Sequence, residues 1–108
     1  MLEVSSTHFR AILRLPIGEQ ALSQVRDQFA VAAGWRNFKF PPVLFSTHLV
    51  YDKGVPLEAA IIEATVPWTD AAVFQAQFCI VLKALREHVP TYGNIDLEVR
   101  ECKIKKIL

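Results

Sequence analysis

A chain of 108 residues, with 52% hydrophobic and 21% charged side chains, can bury a core without metals or disulfides and is not disordered. Twelve basic and eleven acidic residues leave a net charge of +1, which excludes a strong general affinity for nucleic acid or an anionic membrane. Met1 to Arg10 lacks the pattern of a signal peptide, and the uncharged stretch Ala71 to Leu82 falls far short of the roughly 20 residues a bilayer needs. A single soluble, cytoplasmic domain over residues 1–108 is expected.

Residues 1–6 read as a short leader. From Thr7 to Ile17 the pattern alternates, with Phe9, Ala11, Leu13 and Leu15 on one face and His8, Arg10, Ile12 and Arg14 on the other, the mark of a strand. Glu19 to Ala33 repeats at helical spacing through Leu22, Val25, Phe29 and Ala32, with Glu19 at the positive end and Gly34 in the stop position. Pro41-Pro42 keeps the next connection extended. Val43 to Tyr51 and Leu57 to Val66 flank the turn sequence Asp52-Lys53-Gly54 and read as a hairpin, with Pro56 where no ladder N–H is needed.

The strongest helix signal lies between Val66 and Val89. Thr69 or Asp70 can cap it, Arg86 and His88 suit its negative end, and Pro90 stops it. Phe74, Phe78, Val81, Leu82, Leu85 and Val89 form its apolar stripe, while Val73, Ile80 and Ala84 add apolar surface outside that stripe. In the last strand Ile95, Leu97 and Val99 alternate with charges, but the apolar positions then shift to Cys102 and Ile104. That change of parity predicts a bulge near Arg100-Glu101, with the tail leaving its own sheet to pack on a neighbouring subunit or another edge. Cys79 and Cys102 read as buried free thiols, and Trp35 and Trp68 as packed or interfacial.

The order β-α-β-β-α-β predicts a ferredoxin-like α+β sandwich: a four-stranded antiparallel sheet with both helices on one face. The hairpin parity puts Leu44, Ser46, His48 and Val50 on one face with Leu57, Ala59, Ile61, Glu63 and Thr65. Val43, Phe45, Leu49, Ala60, Ile62 and Val66 take the face under the helices. The first face is too apolar to be left wholly in water, so a sheet-mediated homo-oligomer, dimer or trimer, is expected. In order of elements the chain resembles the dimeric α+β barrels. Its two βαβ halves, with Phe40 to Asp52 after the first helix, are similar to the tautomerase superfamily, whose catalytic amino-terminal proline is replaced by Leu2 after Met1.

Arg10, Arg14, His48 and Glu63 share the open face and are the candidate ligand-binding residues. An arginine fork, an imidazole and a carboxylate under cover can hold an anionic small molecule and move a proton. The plainer account, preferred here, pairs Arg10 or Arg14 with Glu63 structurally and leaves His48 as a half-buried sheet residue. The three histidines have no ligand-like spacing, so no metal is expected, and the four glycines form no phosphate loop or dinucleotide fingerprint, so no cofactor is expected. The RNA recognition motif has this topology, but Leu57 to Glu63 lacks its stacking aromatics, and nucleic acid is not an expected partner. The reading is a binding or assembly module for a small molecule or protein partner. The alternative is a small enzyme of tautomerase-like or barrel-monooxygenase-like type.

Overall fold

Alternation in the sequence becomes strand pairing in the computed structural model, which describes residues 2–17 and 21–106. Four strands, β1 (Leu2–Leu15), β2 (Leu44–Asp52), β3 (Val55–Pro67) and β4 (Asp96–Lys106), alternate with two helices, α1 (Ala21–Trp35) and α2 (Ala71–His88). The sheet runs β2-β3-β1-β4 with every neighbour antiparallel, which is the ferredoxin-like arrangement. Helix α2 lies on β1 and β3, and α1 on β2 and β3.

Several local expectations change. The supposed leader belongs to β1, because β4 runs far enough to pair Lys106 with Leu2. Beyond the pairing of Ser6 with Pro67, β1 has only β4 beside it, so the sheet ends in a two-stranded ribbon. The predicted bulge is absent: from Ile12 opposite Asp96 to Leu2 opposite Lys106 the register never slips. The unbroken ladder therefore carries positions 102 and 104 to the face opposite Leu97 and Val99, and it keeps the tail in its own sheet as far as Lys106. Ile107, Leu108 and Glu19 lie outside the described residues, as does the side chain of Cys102.

Helix α1 stops later than Gly34 suggests. Asn37 takes the left-handed conformation at φ 55°, the Phe38 N–H donates to the Ala33 carbonyl at 3.0 Å, and the Asn37 N–H donates to that of Gly34 at 3.1 Å. These two bonds make a Schellman stop with Asn37 in the place usually held by glycine. At α2 a 3-10 turn, Trp68–Asp70, precedes the first helical turn, and Asp70 makes no side-chain capping bond. Arg86 and His88 do occupy the last turn. The β2–β3 turn has Lys53 at φ 51° and Gly54 at φ 79°, a type I′ hairpin in which Tyr51 faces Pro56. Pairing with β1 has ended by Glu58, so the missing N–H of Pro56 costs no ladder bond.

Phenylalanine supplies the aromatic part of the core. All seven are joined in one network of ring contacts: Phe9 to Phe74 at 4.7 Å, Phe74 to Phe78 at 5.0 Å, Phe29 to Phe45 at 5.5 Å and to Phe78 at 6.0 Å, Phe40 to Phe74 at 5.3 Å and Phe38 to Phe40 at 5.9 Å. Ala60, Ile62, Ala64 and Val66 of β3 and Leu13 and Leu15 of β1 complete it. Leu49 shares their parity but stands exposed on the outer strand, beyond the helix cover. Cys79 is also exposed, because it follows Gln75 and precedes Lys83 at four-residue spacing on the solvent side of α2. Trp35 and Trp68 are exposed as well, and among the described residues no helix is long and apolar enough to cross a membrane.

Candidate functional site

The face without helices is laid out by the strand register. Arg10 stands between Glu98 and Glu63, with Leu44 beyond Glu63. The next row reads Asp96, Ile12, Ile61, Ser46, and the one after it Arg14, Ala59, His48. In the other direction His8 stands between Arg100 and Thr65. All four sequence candidates share this face, Arg10 and Arg14 about 13 Å apart along β1 and His48 about 10 Å across from Arg14, by strand geometry.

Their partners are only partly those expected. The Glu63 carboxylate accepts a hydrogen bond from the His8 imidazole, Nε2 to Oε2 at 3.0 Å, and its other oxygen lies 4.0 Å from Arg10 Nε. Arg14 turns away from Glu63 and donates to Asp96 Oδ2 at 2.8 Å. The Arg10 Nε is buried and has no hydrogen-bond partner among the described residues. A buried N–H left in this state costs about 1–3 kcal/mol unless something arrives to accept it. All three pairs are part-exposed, so their worth to the fold is small.

Beside Arg10 the sheet forms an open basin of about 1030 Å³. Ile12, Ala59, Ile61 and Val50 make an apolar floor, and Arg10, Arg14, His48, Asp52, Tyr51 and Tyr92 stand around it. The Tyr92 N–H donates to the Arg14 carbonyl at 2.7 Å, which ties the loop after α2 to the end of β1 and brings Tyr92 to the rim. Gly93 follows at φ 71°, a turn conformation that favours glycine. The structure therefore brings Arg10, Arg14 and His48 to one basin, while Glu63 sits behind Arg10, away from its lining. Ala59 and Ile61 are almost fully buried within the single chain, so the face is less open than its composition implies.

Three contributors escaped the sequence reading. His8 shares the parity of Arg10, so its place beside Glu63 was legible once β1 and β3 were neighbours. Asp96 as the partner of Arg14 depends on the β1–β4 register, and Tyr92 on one loop hydrogen bond; neither leaves a periodic signal. Two smaller grooves carry no comparable group of cations: one of about 620 Å³ between Pro41 and Val73, and one of about 510 Å³ between Trp35 and His88. Among the described residues no three His, Cys, Asp or Glu side chains converge as a metal site.

The sequence matches no protein family, and no curated protein is significantly similar to it. Solved structures do resemble it in shape. The PII protein of Arabidopsis thaliana bound to citrate aligns at a TM-score of 0.50 and 14% identity, over 87% of this chain and 76% of that one. A designed protein with a ferredoxin fold aligns at 0.46 and 12% identity, over 90% and 85%. The C-terminal domain LarC2, of a cyclometallase in the synthesis of the lactate racemase cofactor, aligns at 0.48 and 12%, over 96% of this chain; the chain spans only 58% of that domain. The likeness is one of fold.

Proposed function

We propose that this protein is a binding module that takes a small anionic molecule in the basin on the helix-free face of its sheet. The observation that carries the reading is Arg10. Its guanidinium borders the basin, its buried Nε has no hydrogen bond among the described residues, and its nearest carboxylate, Glu63, which also accepts from His8, stays 4.0 Å away. A planar fork of this kind is matched by a carboxylate or phosphate, which would pair with the guanidinium from the basin side and add a close ion pair to the loose one with Glu63. Arg14 and His48 add donors on the far side, and the apolar floor between them suits the body of an organic acid.

The enzyme alternative needs a carboxylate and an imidazole in one cavity. His48 lines the basin, but Glu63 is engaged by His8 outside its lining, and that division favours binding over catalysis. The PII neighbour bound to citrate has the same fold, but the ligand reading rests on Arg10, not on that likeness.

Thermal unfolding in the presence of organic acids and phosphates tests the proposal. A ligand at a hundredfold excess over its Kd stabilises the folded state by about 2.7 kcal/mol, which raises Tm by several degrees. The rise is expected with wild type and lost in Arg10→Met, whose own Tm should match or exceed that of wild type because the unpartnered N–H is gone. No shift with any anion retires the binding reading.

A further inference from the structure

We propose that the β2 edge of the sheet pairs with β2 of a second copy of this chain, making one continuous eight-stranded sheet. The two edges of the sheet are built differently. On β4 the sequence places Glu98, Arg100, Glu101, Lys103, Lys105 and Lys106, the charges that discourage edge-to-edge pairing. Strand β2 reads Leu44-Phe45-Ser46-Thr47-His48-Leu49-Val50-Tyr51-Asp52, with no lysine, no proline and an unbroken register against β3. It exposes apolar side chains on both faces, Leu44 at 69% on one and Leu49 at 60% on the other, with Tyr51 at 70% near its end. Covering one face of the sheet would bury only part of that set; a strand laid alongside reaches all of it.

The hairpin fixes which backbone groups are free. Asp52 and Val55 close a two-residue turn and so exchange both hydrogen bonds, which points the backbone of residues 44, 46, 48, 50 and 52 toward β3. Phe45, Thr47, Leu49 and Tyr51 therefore turn their N–H and C=O groups outward. A two-fold axis normal to the sheet at His48 matches these groups to one another: Phe45 faces Tyr51 of the second copy and Thr47 faces Leu49. Both helix layers then stay on one side, as the parity of an antiparallel pair requires. Asp52, the one acidic residue of the strand, meets Leu44, so no carboxylates are opposed, and His48 meets its own copy on the axis. A second copy therefore fits this edge in register, with no slip and with both helix layers on one side. The pairing also brings Ser46 of the second copy beside Val50, extending the wall of the basin on its open side.

Hydrogen exchange on the wild-type protein at about 100 µM is the direct test. The amides of Phe45, Thr47, Leu49 and Tyr51 should be protected to the same degree as those facing β3, and sedimentation should give twice the 12.2 kDa chain mass. Thr47→Pro removes an outward N–H that β3 does not use; it should return the 12.2 kDa species with its Tm lowered. A wild-type monomer, or fast exchange at those four amides in a dimer held through the helix-free face, overturns the proposal. So does a dimer that survives Thr47→Pro. A peptide partner would show as a purified monomer with fast-exchanging edge amides and counts against it equally. None of these readouts involves ligand, so the anion-binding reading stands or falls separately.

Discussion

On the helix side of the sheet, every second residue of β1 from Phe9 to Leu15 is buried against phenylalanine and aliphatic side chains. One residue along the same strand, the other side carries His8, Arg10, Ile12 and Arg14. The two faces share one backbone and one register, so the difference between them is entirely one of side-chain chemistry. Over β1 the first is packed by a network of seven phenylalanine rings. The second has the Arg10 guanidinium, whose buried Nε makes no hydrogen bond among the described residues, and an open basin beside it. The packing that holds the fold lies on one face, and the site proposed for a ligand on the other.

The largest way to break that division is Phe78→Ala. Phe78 is fully buried and touches Phe9, Phe29, Phe40 and Phe74, so its loss should cost about 3–5 kcal/mol in urea unfolding. A smaller contrast sits within β1. Leu13→Ala on the buried side should cost about 2–5 kcal/mol, while Ile12→Ala, half-buried on the basin floor, should cost less than about 1.5 kcal/mol. Equal costs at the two positions would show that the basin floor is packed as tightly as the core. The smallest effect belongs to Asp96→Asn, which removes the part-exposed partner of Arg14 for about 0.2–1 kcal/mol. It should also release Arg14 toward the basin, so tighter binding of an anionic probe by titration is the sharper readout. Weaker binding would mean that Asp96 orients Arg14 for its ligand.

What was legible in the sequence is what periodicity encodes. Alternation over Thr7 to Leu15, the Asp52-Lys53-Gly54 turn and the stripe from Phe74 to Val89 suffice for the ferredoxin-like order and for the two faces of the hairpin. The parity rule also put Arg10, Arg14, His48 and Glu63 on one face. It did not choose partners among them, because an ion pair depends on rotamers and on the register between strands distant in sequence. Hence Glu63 went to His8 and Arg14 to Asp96. The bulge near Arg100 was inferred from a wish to bury every apolar side chain. The ladder kept its register instead, since a slip breaks backbone bonds while an apolar residue on the second face costs less. The α1 stop was misplaced for a similar reason: asparagine also adopts the left-handed conformation that glycine advertises.

That phenylalanine alone supplies the rings of the core has an optical consequence. Phenylalanine emits too weakly to be followed beside other fluorophores, and both tryptophans and both tyrosines of the chain stand on the outside, with Trp35 at 85% and Trp68 at 64% exposure. Intrinsic emission of the native protein should therefore be close to that of solvated indole and change little when the core melts. What it will report is local. Trp35 marks the groove between the two helices, Trp68 the start of α2, and Tyr92 the rim of the basin, so quenching at each is a probe of occupancy at a place, not of folding.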